Sequence, residues 1–273
     1  MRTAVVTITH RRDAHLHRQR LGLAAAAPDL HVVVAMGREP ALPDVPGAPP
    51  TTLVTVPVPA GGLPLAAARN AGVGAARSAG ADLLVLLDVD CIPDPALLSR
   101  YADAAAGLRG TGPALLCGPV GYLPPPPAGG YPADRLRDLA VPHPARPVPG
   151  DGEVRAEDRF ELFWSLSFAI TGCDWEALGG FCEDYTGYGG EDTDFAMTAA
   201  AAGARMFWVG GAWAYHQHHP STRAAPGQVA AIVRNAHTFH RRWGWWPMSG
   251  WLAELAEAGA VEFDPHRDVL RLR

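Results

Sequence analysis

The chain has 273 residues, enough for one large or two small domains with a full hydrophobic core. A net charge of −5 without any basic stripe argues against nucleic acid as a partner. All 23 basic residues are Arg, which with the abundant Ala, Gly and Pro marks a GC-rich coding sequence rather than a mechanism.

The opening MRTAVVTITH passes straight into a strand-like run with no signal-peptide pattern. Two uncharged stretches, 45–68 and 110–133, are broken repeatedly by Pro, so neither reads as a transmembrane segment. Cys91, Cys117, Cys173 and Cys182 form no CxxC pair. Buried reduced thiols are expected, with a Cys173–Cys182 bridge as the lesser alternative. The expected location is cytoplasmic, with peripheral attachment to a membrane left open.

In chain order, the β-branched run 4–9 predicts a first strand and 11–27 a helix ending before Pro28. Residues 31–35 and 53–58 predict two more strands, the latter at an edge because of Pro57 and Pro59. A helix over 65–79 carries Gly72 and Gly74 as weak points. A strand at 83–87, a helix at 95–108 and a strand at 114–117 follow. This alternation predicts an α/β protein with a doubly wound, mostly parallel sheet. Residues 118–152 are rich in Pro and Gly and predict a loop, either a lid or a surface insertion. Beyond it come the apolar run 159–171, helices at 174–178 and 194–202, a strand at 205–213 and a helix at 228–243. The tail holds Trp243, Trp245, Trp246 and Trp251, then a last helix and a short strand. Trp243 reads as core, while Trp246 and Trp251 remain candidates for lining a ligand site.

Two acidic turns carry the chemistry. In LLVLLDVDCIP, five apolar residues run into Asp88-Val89-Asp90. Ionised side chains at the carboxyl end of a buried strand need a cation or solvent, and that end is where open α/β sheets bind ligands. A divalent-metal site that also holds phosphate is one reading; solvated strand-end carboxylates are the other. In GYGGEDTDF, glycines precede Glu191, Asp192 and Asp194. Glycine permits close approach to a ligand, and acids at a helix start are favoured by its dipole. An ordinary helix cap by Asp192 or Asp194 is the competing reading. His216 and His218 fall on one face if the strand continues through them. No Cys set or HExxH accompanies them, which disfavours a structural zinc site.

Taken together and in this order, the two acidic turns make the chain resemble the GT-A glycosyltransferases. It is similar to the family-2-like enzymes, and most of all to the β-1,4-galactosyltransferase group. Residues 88–93 resemble that group's DVD-x-IP element, and 181–195 its GF…GWGGED element, with Tyr188 in place of Trp. Thr9-His10-Arg11-Arg12 is similar to the PTYNR turn of family-2 enzymes, and Arg69-Asn70-Ala71-Gly72 to their RN-x-G. The resemblance implies a GT-A fold with a smaller acceptor-side half. It implies Asp192 as general base and Glu191, Tyr188 and Gly190 at the acceptor. Thr9, His10, Arg12, Arg69, Asn70, Asp88, Val89 and Asp90 would bind the donor. Asp90, His216, Asp88 and His218 are the implied ligands of Mn²⁺ or Mg²⁺, with His219 a further candidate. The donor implied is a nucleotide sugar, with a UDP-sugar expected. The acceptor would be a hydroxyl of a glycan, glycolipid or natural product, and inversion the outcome.

The chain departs from that pattern in two places. The uracil-reading Asp after the second strand is missing from Ala35-Met36-Gly37-Arg38, and the first turn lacks its Pro. The expected organisation is one compact domain: a nucleotide-binding half at 1–118, a loop or lid at 119–158, and an acceptor-side half at 159–273. Two rival readings are a haloacid-dehalogenase-type phosphatase and a catalytically inactive GT-A sugar-binding protein. The first lacks the Thr expected at Ile92 and any Lys for its later motif.

Overall fold

The structure is a computed structural model that describes residues 1–220 and 225–273. Thr3–Thr9 forms β1, Asp13–Ala26 α1, Leu30–Met36 β2, Thr51–Val56 β3, Leu65–Ser78 α2 and Leu83–Leu87 β4. Every residue of β1, β2 and β4 is buried, as expected of parallel strands covered by helices on both faces. Then come Cys91–Pro93 (β5), Leu97–Gly107 (α3), Ala114–Cys117 (β6), Val120–Tyr122 (β7), Leu136–Leu139 (α4) and Val141–Pro142 (β8). Val154–Glu157 (β9), Ser167–Thr171 (β10), Gly172–Leu178 (α5), Glu191–Ala201 (α6), Arg205–Val209 (β11) and Ala214–His216 (β12) follow. Pro226–Trp243 (α7), Ser249–Glu257 (α8), Val261–Asp264 (β13) and Val269–Leu272 (β14) end the chain.

The main sheet has the order β3-β2-β1-β4-β10-β6-β11-β9. The β3-β2-β1-β4 run and the β6–β11 pair are parallel, whereas β10 lies antiparallel between β4 and β6. An apolar strand buried on both faces has no polarity signature, so the sequence does not reveal that β10 runs backwards. A second sheet, β5-β12-β7-β8, stands beyond the carboxyl ends of β4 and β6.

One face of the main sheet packs Val6, Val34, Leu84, Phe168 and Trp208 with residues of α2 and α6. The other packs Val5, Val85, Leu116 and Phe207 with α3. Gly72, a weak point for a helix, is required here: a Cβ would lie 2.5 Å from Val6 Cγ1 and 2.8 Å from Val34 Cγ2. Helix α2 therefore seats directly on β1 and β2. The ends α7, α8, β13 and β14 close over their own core of Ile232, Trp246, Leu252 and Leu270.

Several expectations are corrected. The Pro-rich segment is not simply loop: it contributes β7, α4 and β8. The strand expected over 205–213 ends at Val209, and the single terminal strand is a hairpin, β13–β14. All four cysteines are free thiols as expected, but only Cys91 and Cys117 are buried, while Cys173 is exposed. Among the described residues no helix is long and apolar enough to cross a membrane.

Candidate active site

The first acidic turn is fixed from beneath. Gln19 of α1, fully buried, donates to the carbonyls of Asp88 (2.8 Å) and Cys91 (3.0 Å) and accepts from Thr7 Oγ1 (2.9 Å). Asp88 N–H donates to Leu166 O at 3.0 Å. Asp90 turns the other way. Its carbonyl accepts from Gln217 N–H at 2.7 Å, and its carboxylate meets His219 Nε2 at 3.1 Å and His216 Nε2 at 3.6 Å. Ligand atoms of Asp90, His216 and His219 all lie within 4.8 Å of one another. Gln217 locks this arrangement, donating to His15 O (3.2 Å) and accepting from Arg18 (3.3 Å). Tyr122 flanks His216, with ring centroids 5.0 Å apart, and His15 stands edge-on to His219 at 6.0 Å.

The second turn begins at Gly190, whose φ of 91° suits glycine and whose added Cβ would press on the Tyr185 ring at 3.2 Å. Helix α6 starts there, earlier than expected, so Glu191 and Asp192 occupy its first turn where the dipole favours anions. Asp194 is not a cap. It is fully buried and accepts from Tyr185 Oη (3.1 Å), Arg242 Nε (2.7 Å) and Trp243 Nε1 (2.7 Å), tying α6 to α7.

Arg69 joins the two turns. Its buried guanidinium bonds Asp88 Oδ1 at 3.2 Å and Glu191 Oε1 at 3.1 Å. Burial lowers its pKa, but Asp88 and Glu191 outweigh that and raise it. The surrounding carboxylates outnumber the cations. Burial pushes Asp88 up to about 7 against the pull of Arg69, with Asp90 adding repulsion. Burial and then Glu191 push Asp192 up to about 7, Asp88 also contributing. Both keep some surface open, so dense surroundings rather than full enclosure set these shifts. Asp90 goes the other way: burial raises it, but His219, His216 and Arg12 prevail and lower it. Asp90 pulls His219 up, whereas burial takes His216 and His15 down.

The sequence-predicted residues fall as follows. Asp88, Asp90, His216, Arg69, Glu191 and Asp192 converge at the carboxyl edge of the sheet. Thr9 ends β1 on that edge, and His10 and Arg12 follow it. Thr9 is buried with Oγ1 lacking a partner, and His10 Nδ1 bonds Met36 O at 2.7 Å. Val89 is buried in the turn itself. Asn70, expected at the donor, instead has both amide atoms on the Phe181 backbone at 2.9 Å and clips α2 to the second turn. Tyr188 stacks on Trp251 with centroids 5.6 Å apart, while Trp246 is core and Trp243 bonds Asp194. His218 is the clear correction. Strand β12 stops at His216, so alternation does not carry to 218; its side chain is exposed, and His219 takes the place beside Asp90. Gln19, Gln217 and His15 were missed, because nothing local marks them.

The cation reading fits these residues. Asp90 Oδ1 is buried without a hydrogen-bond partner, and two imidazoles converge on it.

Comparisons with known proteins extend this. Residues 153–220, which carry both the second acidic turn and the histidine segment, match a family model described as the N-terminal domain of galactosyltransferase. The structure is similar to that of S. aureus TarS residues 1–349 in complex with UDP-GlcNAc. The TM-score is 0.57 at 13% identity, covering 93% of this chain and 76% of that one. It is also similar to GalNAc-T7 with UDP, GalNAc and Mn²⁺, at a TM-score of 0.52 and 14% identity, covering 94% and 57%. The fold is GT-A. The GT-A chain is also 30% identical over 202 residues to validoxylamine A glucosyltransferase of Streptomyces hygroscopicus subsp. jinggangensis, covering 66% of this chain and 45% of that protein. The protein of the same name from subsp. limoneus is 31% identical over the same length, covering 42% of itself. The chain thus spans less than half the length of these curated relatives. Family match, relatives and fold all support the glycosyltransferase resemblance, and none supports the phosphatase alternative.

Proposed function

We propose that the protein is an inverting, cation-dependent glycosyltransferase of the kind suggested by the DVD-x-IP and GGED elements. It moves a hexose or N-acetylhexosamine from a UDP-sugar to a hydroxyl of a glycan, glycolipid or natural product. The observation that carries this reading is the Arg69 bridge, which puts Asp88 and Glu191 on one guanidinium and so brings both acidic turns into one cleft.

Asp90, His216 and His219 would hold the cation, with Asp88 beside them. Two imidazoles and a carboxylate suit Mn²⁺ better than Mg²⁺, which prefers oxygen ligands. The bound cation would supply charge neutralisation at the leaving diphosphate. Arg12, close enough to lower the Asp90 pKa, would add a second positive charge on that side. Thr9 and His10 lie at the end of β1, where a nucleotide binds in open α/β sheets.

Asp192 takes the proton of the acceptor hydroxyl as that oxygen attacks the anomeric carbon and the nucleoside diphosphate leaves. A base near its pKa at neutral pH is well matched to this task. Glu191 Oε2 has no hydrogen-bond donor, and an acceptor hydroxyl would supply one. With one displacement on one face, an α-linked donor gives a β-linked product. The stacked Tyr188–Trp251 pair next to the glycine turn offers an aromatic face to the acceptor.

The test is a donor panel read by release of UDP, with product configuration read by NMR. Turnover that needs a divalent ion and yields the inverted anomer is expected. Retained configuration, or full activity in EDTA, overturns the reading.

A further inference from the structure

Arg146, in the Pro-rich segment, is a buried cation without an anionic partner among the described residues. It is 8% exposed, and its Nε and Nη1 are buried with no hydrogen-bond partner. The side chains that face it include Cys117, Tyr122, Tyr101 and Cys91, none of them a carboxylate, and among the described residues no carboxylate forms an ion pair with it. Its guanidinium carbon lies 4.6 Å from the Trp208 ring centroid and 5.1 Å from that of Trp164. Cation–π contacts of this kind are modest. The desolvation cost of an unpaired buried ion exceeds them. The rings alone do not compensate, so the site lacks an anion.

Its place in the fold says what that anion belongs to. Trp208 of β11 pairs with Cys117 at the end of β6. These strands run parallel to β4, so Arg146 lies on the sheet edge that carries Asp88 and Asp90. Tyr122 stands between: its ring is 5.0 Å from His216 on one side and 6.5 Å from His143 on the other. His143, exposed, packs edge-on to Trp164 at 4.8 Å. Arg146 and its aromatic neighbours are thus linked through Tyr122 to the cation cluster, on the β6–β11 side of the sheet rather than the β1–β2 side.

We propose that Arg146, walled by Trp164, Trp208, Tyr122 and His143, is a subsite for an anionic group, a carboxylate or a phosphate, carried by the acceptor. Only the word acceptor rests on the transferase reading; the anion subsite stands on the geometry.

The experiment loads the protein with Mn²⁺ and saturating UDP, then titrates inorganic phosphate and, separately, glucuronate. Glucose is the neutral control, and ionic strength is held constant. Saturable thermal stabilisation by one or both anions is expected, weakened at least tenfold in Arg146→Met and less in Arg146→Lys. Phosphate alone or glucuronate alone identifies the group. If Arg146→Met does not fold, Arg146→Lys decides: the point-like ammonium loses the forked contact and must weaken the anion. Equal anion affinity in wild type and variants, or no anion effect in wild type, overturns the proposal. If UDP fails to bind while the Arg146-dependent anion effect persists, the transferase reading falls and the subsite remains.

Discussion

On the proposed reading the chemistry turns on Asp192 and Arg69, and they fail differently when changed. Asp192→Asn keeps size and the first-turn position but cannot take a proton. UDP affinity should hold while transfer falls ~10²-fold or more, the usual weight of a positioned base. In the wild type the rate should fall as pH drops below about 7, because burial and Glu191 hold the Asp192 carboxyl up to about 7 and only the ionised form is a base. A pH–rate profile flat from 8 to 5 would place the base elsewhere. Arg69→Met removes the cation between Asp88 and Glu191 and strands a buried carboxylate. Losing one partner of a buried pair costs about 3–5 kcal/mol, so urea denaturation should register a loss of that order together with loss of transfer. The acids themselves were legible, because a carboxylate at a strand end or helix start has a local signature. Arg69 as a bridge was not: its meaning lies wholly in which two turns fold to its guanidinium. The choice of His219 over His218 turned on where β12 ends, and strand ends are weakly encoded.

At the scale of elements, the Gly190 turn and α6 decide whether the acids point into the cleft. The sequence placed the helix start at Asp194, because a cap before an apolar run is the common pattern. The structure starts α6 at Glu191 and buries Asp194 under Arg242 and Trp243 instead. That alternative was invisible because α7 is far along the chain. Gly190→Ala forces a left-handed φ on a residue with a Cβ and presses it on Tyr185. A loss of roughly 1–3 kcal/mol is expected from such strain, with transfer reduced more than UDP binding, since only the acceptor-side acids are displaced. Asp194→Ala should cost roughly 3 kcal/mol or more in urea denaturation by leaving the Arg242 and Trp243 donors without their acceptor. The parallel half, β3-β2-β1-β4 with α1 and α2, was readable because strand–helix alternation repeats there. The reversed β10 was not, since direction is set by what the chain crosses before it.

The whole molecule folds around a cleft that is too acidic for itself, and this sets its response to pH. Asp88 and Asp192, ordinarily near 3.8, are both held up to about 7, first by burial and then, for Asp192, by Glu191 and, for Asp88, by Asp90 against the pull of Arg69. Between about 4 and 7 the folded state therefore keeps protons at these sites that the unfolded chain has released. Stability from this source must fall as pH rises through that window. In EDTA the wild type should lose more melting temperature between pH 5 and 8 than Asp192→Asn, which carries one fewer raised carboxyl; the difference between the two cancels titrations elsewhere in the chain. Divalent cation should act in the opposite sense. Its ligands are most available when Asp90 is ionised and the imidazoles are neutral, so Mn²⁺ with UDP should raise the melting temperature more at pH 8 than at pH 5.5. Identical slopes for wild type and Asp192→Asn, together with a cation effect independent of pH, would mean that the acids of the two turns do not share one electrostatic site.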